Sequence, residues 1–325
     1  MANNYRIRML YRSTNHISPS VTLRQAIKEG VAPDGGGYEP ESIRRLPAAL
    51  FRNLPEMSIQ EIAYVVGNTL FSDDVTSMVV KDLVGKIFTF DMPVEWDKDS
   101  PGHITVDLTQ GPTCSFKDLG AKALVEMLQY LSTTYNEPVP SLLVASSGPT
   151  ARAIVNAVSY YDNMQLILLV TQELASGSDP YPRNANAPIL GQGHLVRVKG
   201  SVEQCRRLVS EAFDDTQLRS LMAITSANSL NVGSYLAEVV IHFHTYARIT
   251  AMGLDPDRVV IVLPAQFPSL SRAAKVAQLM GLPMRRFILG TPDVVPAAGD
   301  TVISLLTDKS ALPAYQLKQT VISPT

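Results

Sequence analysis

Two cysteines in 325 residues, Cys114 and Cys205, are too few for a disulfide framework, so a reducing compartment is the default. Charge of either sign is not in excess. The 28 lysines and arginines against 30 acidic residues leave a net charge of −2, which gives no field drawing the chain to nucleic acid or to an acidic membrane. No apolar run approaches the length of a membrane span. Met1 to Arg12 carries Arg6, Arg8 and Arg12 but no apolar segment, so it is not a secretory signal. Walker, Gly-x-Gly-x-x-Gly, Gly-x-Ser-x-Gly and Cys-x-x-Cys patterns are absent, as are internal repeats and low-complexity segments. These absences leave a cytoplasmic globular protein, long enough for about two domains.

What is present divides into an α-rich unit over residues 1–98, an α/β domain over 99–235 and a second α/β domain over 236–325. In the first unit, Gly30-Val31-Ala32-Pro33-Asp34-Gly35-Gly36-Gly37-Tyr38 is turn chemistry, because glycine reaches positive φ without a Cβ clash. Helical patterns run over 22–29, 41–51, 58–71 and 73–87, the third opened by Ser58 and Glu61 at capping-box spacing. Such a unit serves as scaffold or dimer surface.

From about residue 99, strand patterns (103–107, 141–145, 165–170, 194–199, 221–225, 258–263, 286–289) alternate with helical ones (115–131, 150–160, 202–213, 232–251, 269–280). Apolar strands separated by helices predict βαβ units and a mostly parallel sheet covered on both faces. Residues 171–193 are polar, with Gly, Ser, Pro and Asn, and read as a surface loop or lid. Ligands of such sheets sit in the turns that follow the strands and open the helices. Those turns are 109–116, 146–150, 226–231 and 264–269.

Lys117 lies in the first turn of a helix, just after the first of these turns. A cation is mildly disfavoured there, by a few tenths to about 1 kcal/mol. A lysine in that place is either solvated or a perturbed amine of the kind Schiff-base chemistry uses. Ser146-Ser147-Gly148-Pro149-Thr150 can offer N–H groups to a carboxylate or phosphate, or simply cap its helix. Asn228-Ser229-Leu230-Asn231 carries the same two readings. Ala265-Gln266-Phe267-Pro268-Ser269 lacks the glycines that bring backbone N–H groups to a phosphate. His242 and His244 point roughly 200° apart on one helix and cannot share a metal, so they read as satisfied interior residues and no metal is expected. Cys114 reads as a small buried residue in preference to a reactive thiol.

Several blocks, in order, resemble the threonine synthase family of fold type II pyridoxal-phosphate enzymes. Tyr11-Arg12-Ser13-Thr14 with Gly30 to Pro40 is similar to Y-x-S-T-R followed by G-L-A-P-D-G-G-L-Y-x-P. Gly111-Pro112-Thr113-Cys114-Ser115-Phe116-Lys117-Asp118 resembles G-P-T-x-A-F-K-D. Ser146 to Thr150 stands where the family has T-S-G-D-T, Asn228 to Asn231 resembles N-S-I-N, and Met280-Gly281-Leu282-Pro283 follows the last turn. The resemblance implies an α/β, fold type II architecture with mostly parallel sheets flanked by helices. It also implies pyridoxal 5'-phosphate held as an aldimine by Lys117, the catalytic residue, with Ser147, Gly148, Gln266, Phe267 and Ser269 as further cofactor contacts. Ser147, Thr150, Asn228 and Asn231 would bind the substrate. The implied activity is that of a lyase of amino-acid biosynthesis, converting O-phosphohomoserine and water to threonine and phosphate.

Departures from the family pattern qualify the substrate and the cofactor. The family's G-N-F-G-N loop is Ala265 to Ser269, the Asp of S-G-D-T is Pro149, and the expected arginines are Asn15 and Ser234. Ser178-Asp179-Pro180-Tyr181-Pro182 replaces a basic, Gln-rich segment. With those cations replaced, a homoserine-type or β-substituted amino acid joins O-phosphohomoserine as an expected substrate. The alternative is a non-catalytic relative acting as a binding or partner module. Thr320 to Thr325 resembles a family segment beyond which the family continues, so the resemblance implies a member short at its C-terminus, and a homodimer or a partner subunit completing that domain.

Overall fold

The computed structural model describes residues 9–71, 73–146, 148–172, 189–284, 286–290, 301–309 and 316–322. In chain order the strands are β1 (Tyr11–Ser13), β2 (Tyr38–Pro40), β3 (Val94–Trp96), β4 (His103–Asp107), β5 (Ser141–Ala145), β6 (Leu166–Thr171), β7 (Ile189–Val198), β8 (Ile224–Ser226), β9 (Val259–Pro264), β10 (Phe287–Gly290), β11 (Thr301–Leu306) and β12 (Gln316–Ile322). The helices are α1 (Leu23–Glu29), α2 (Ala48–Asn53), α3 (Ile59–Phe71), α4 (Ser77–Ile87), α5 (Lys117–Tyr135), α6 (Pro149–Val158), α7 (Val202–Asp214), α8 (Thr216–Leu221), α9 (Val232–Ala251) and α10 (Pro268–Leu279).

Two five-stranded sheets carry the fold, in the orders β10-β9-β11-β4-β3 and β12-β7-β6-β5-β8. Every pairing in them is parallel except β3 with β4. Both sheets draw strands from either side of residue 235, since β4 pairs with β11 and β12 with β7. A small antiparallel ribbon joins β1 to β2. Strands such as Val259–Pro264 are buried along nearly their whole length, as expected where helices cover both faces. The architecture is therefore α/β with mostly parallel sheets flanked by helices.

Helices α5 and α9 pack together in the centre and are buried on almost every side. Apolar residues all round a helix mark it as a core helix. The polar exceptions on α9 are consequently informative. His242 and His244 each meet a backbone carbonyl through Nε2, Leu270 O at 3.1 Å and Met92 O at 2.8 Å. No group of metal-ligating residues occurs among the described residues.

Burial pushes the fully enclosed His242 down to about 4. Its folded value lies below the unfolded one, near 6.5, so the unfolded chain binds more protons between these pH values and stability falls as pH drops through that window. Urea unfolding at pH 7 and pH 4.5 should differ by roughly 2–3 kcal/mol from this residue alone. His242→Gln should shrink the difference, and an unchanged difference would contradict the assignment.

Several elements depart from sequence expectation. The helix expected over 41–51 is only Ala48–Asn53, because Pro47 stands outside it in an extended conformation as its N-cap. The helix expected from 73 starts at Ser77, capped by the Thr76 hydroxyl. The strand expected over 221–225 is Ile224–Ser226; Leu221 instead ends α8, which Asp215 caps. Of the expected loop over 171–193, residues 189–193 belong to β7, and 173–188, which include Ser178 to Pro182, lie outside the described residues. So do 1–8 of the N-terminus and 323–325. No helix among the described residues is long and apolar enough to cross a membrane.

Candidate active site

The turn after β4 is built around Asp118. Its carboxylate accepts the Thr113 N–H at 2.9 Å and the Thr113 hydroxyl at 2.7 Å. A Cβ at Gly111 would lie 2.5 Å from Asp118 Oδ2, so the close approach requires glycine. Cys114 takes a left-handed conformation, φ 51°, and is half-buried. The turn is fastened to the segment after β11: Phe116 N–H donates to Thr307 O at 3.0 Å, and Lys309 N–H to Cys114 O at 2.8 Å. This bonding fixes the start of α5 and, with it, Lys117.

Lys117 is 5% exposed. Its Nζ donates to Ser269 Oγ at 3.0 Å and lies 3.7 Å from Glu238 Oε1. It stands 4.0 Å from the ring centroid of Phe116 and 5.4 Å from that of Phe267. Burial lowers the Lys117 pKa, and the Glu238 carboxylate works against that by raising it. Desolvation, rather than the helix dipole, is thus the main perturbation of this amine.

The other turns converge beside it. Gly148 caps α6 without a side-chain bond, and Pro149 opens the helix. Thr150, Ala227 and Ser229 border a small cavity at Lys117. Thr150 and Ser229 also border a crevice of about 1140 Å³, onto which Ser146, Asn228 and Pro268 open as well. The N-terminal Gly30–Tyr38 stretch supplies another wall through Ala32 and Gly35. That stretch is tied down by Asp34, which receives the Ser13 hydroxyl at 2.5 Å and the Gly36 and Ser18 N–H groups at 3.0 and 2.9 Å. These bonds hold the Asp34 carboxyl well below the usual carboxylate range.

The sequence-predicted residues divide accordingly. Lys117 and Ser269 meet directly, Thr150 borders both cavities, and Asn228 lines the crevice. Asn231 does not join them. It is fully buried, its Nδ2 donates to Ile27 O and Ser226 O, and its Oδ1 accepts the Gly233 N–H. A substrate would find no amide group available there, and Asn231 is the cap of α9. Gln266 is exposed, and Phe267 packs edge-on against Phe116 at 4.8 Å. Ser147 lies outside the described residues. Sequence reasoning missed Glu238. The signal was available: one carboxylate in a largely apolar twenty-residue helix, with Ser234 and His242 four residues to either side on the same face.

The residues suit pyridoxal phosphate at its aldehyde end: a desolvated amine beside two aromatic rings, near a crevice that opens on the first turn of α6. At the phosphate end, α10 offers fewer donors than a glycine loop. Pro268 has no N–H, and the Phe267 N–H is spent on Pro264 O at 3.0 Å. The helix N-terminus itself and the Ser269 hydroxyl remain to favour an anion.

A family sequence model described as the threonine synthase N terminus matches residues 10–88. Threonine synthase of Haemophilus influenzae is 29% identical over 284 residues, covering 86% of this chain and 64% of the relative. That of Serratia marcescens is 29% identical over 299 residues, covering 92% and 66%. The chain thus spans somewhat under two thirds of the length of these curated relatives. Among solved structures, PLP-bound threonine synthase from Brucella melitensis superposes with a TM-score of 0.75 at 25% identity, covering 87% of this chain and 60% of that one. The Escherichia coli threonine synthase structure shares the fold, with a TM-score of 0.71 at 21% identity, covering 97% and 78%. With the matched N-terminal segment, relatives along most of the chain and a shared fold type II architecture, the chain is similar to the threonine synthases.

Proposed function

We propose that the chain is a pyridoxal-phosphate-dependent lyase of the threonine synthase kind, acting on O-phosphohomoserine or on a related homoserine-type or β-substituted amino acid in the cytoplasm. The observation that carries this reading is the buried Lys117 amine. It is held against Ser269 at the start of α10, in a small cavity whose Thr150 and Ser229 also border the crevice. Lys117 would hold the cofactor's aldehyde carbon. Ser269, with the Gln266 backbone and the first turn of α10, would face its phosphate, and the Phe116 and Phe267 rings would wall the site. When bound, pyridoxal phosphate stores the electron pair left on a substrate carbon. The chain's own residues do the rest. Gly148 and Thr150, at the start of α6, orient the substrate carboxylate, and the Lys117 amine moves protons at the substrate's α and β carbons. Burial of Lys117 excludes water from that transfer.

The test is turnover. Purified protein given pyridoxal phosphate should release phosphate from O-phosphohomoserine, or convert an unphosphorylated homoserine analogue, and Lys117→Ala should not. Equal product from both proteins, or none with any of these substrates, would overturn the proposal.

The donor-poor turn gives a second expectation. Replacing Ala265 and Pro268 by glycine restores an N–H donor and the freedom to aim it. The double variant should bind pyridoxal phosphate about tenfold more tightly, which corresponds to about 1.4 kcal/mol, of the order of one added hydrogen bond to a charged group. A titration showing no gain would mean that 265–269 is not the phosphate-facing turn.

A further inference from the structure

Glu238 is 0% exposed, and the groups that favour its carboxylate are the Lys117 amine and the Ser269 hydroxyl. A buried carboxylate is costly unless a charge compensates it. The compensating charge is at hand: Lys117 Nζ lies 3.7 Å from Oε1 and is itself 5% exposed. Among the described residues no other cation acts on the Glu238 carboxylate. On α5, Asp118 is turned back onto Thr113. On α10, the Ser269 hydroxyl accepts from Lys117 and supports the Glu238 carboxylate, and Arg272 acts on Tyr235. On α9, Ser234 and His242 flank Glu238 by one turn each, and the Nε2 of His242 meets Leu270 O. The remaining contacts of the amine are the Phe116 and Phe267 rings, which favour a cation over their faces.

We propose that Glu238 is the counter-ion of Lys117, a positioning residue that keeps the Lys117 nitrogen charged and in place where neither group meets bulk water. The inference rests on Lys117 being the reactive lysine, and it adds to that reading what sets the protonation of its nitrogen. Burial alone lowers the proton affinity of Lys117 and raises that of Glu238, and each group opposes the effect on the other. Removing the carboxylate therefore leaves an amine that loses its proton at lower pH. The proton passes from Nζ to solvent, and a neutral amine with a free electron pair remains.

The test follows reductive methylation of the Lys117 peptide by formaldehyde and cyanoborohydride across pH, in wild type and in Glu238→Gln. The amine attacks the formaldehyde carbon, water leaves, and hydride from cyanoborohydride completes the N–methyl group. The midpoint of the pH profile should fall by at least one unit in Glu238→Gln, with methylation about tenfold faster at pH 7. Superimposable profiles would overturn the proposal. A second measurement does not depend on reagent access. Melting temperatures of Lys117→Met, Glu238→Gln and the double variant form a cycle, and the double variant should lose clearly less than the sum of the two single losses. Additive losses would overturn the pairing. Neither readout involves pyridoxal phosphate, so failure to bind that cofactor would sink the proposed function and leave this inference standing.

Discussion

Lys117→Ala should lose the visible absorbance that wild-type protein gains on adding pyridoxal phosphate, and should lower any lyase turnover by roughly 10²–10⁴-fold, the usual worth of a positioned acid–base group. The expectation rests on position. Lys117 is the residue that the Asp118-centred turn delivers into the core, with its amine against the α10 N-terminus. Lys122, one turn and a half further along α5, instead donates to Thr89 Oγ1 at 3.1 Å, on another side of the helix. Lys122→Ala should therefore keep the absorbance. Equal loss in both variants would indicate a general effect on folding and would undo the assignment to Lys117.

Gly30→Ala should destabilise the chain by about 2 kcal/mol or more, because two costs coincide. Gly30 caps α1 at φ +69°, and an added Cβ would lie 2.6 Å from the backbone N of Ser226 and 2.9 Å from Thr225 Oγ1. The obstacle is largely backbone at the end of β8, which cannot swing aside as a flexible side chain can. Gly85→Ala is the matched comparison. Gly85 sits inside α4 with nothing within 4 Å of the added Cβ. Filling a helix interior in this way should stabilise by up to about 1 kcal/mol. Thermal or urea unfolding of the two variants should move in opposite directions. Because Ser226 leads into the turn that carries Asn228, Gly30→Ala should also disturb the crevice, read as weaker substrate binding.

Much of the frame was legible because it depends on local pattern. His103–Asp107, Ser141–Ala145 and Val232–Ala251 fall where periodicity puts them. The strands that were missed have weaker local signals. β3 is a three-residue edge strand, half-buried to exposed, and β11 becomes recognisable only once its neighbours β4 and β9 are known. At the site, sequence located Lys117 and the turns but not their bonding. Asn231 and Asn228 look alike in sequence, yet one is a saturated cap and the other faces the crevice. Glu238 lies 121 positions from Lys117, so that pair exists only through the packing of α5 on α9.

Lys117 is the lysine proposed to hold the cofactor. Borohydride reduction of the protein in the presence of pyridoxal phosphate, followed by peptide mapping, measures this directly. A pyridoxyl mass should be fixed on the peptide containing Lys117 at near one per chain. A label scattered over exposed lysines, or concentrated at any other one, would contradict it.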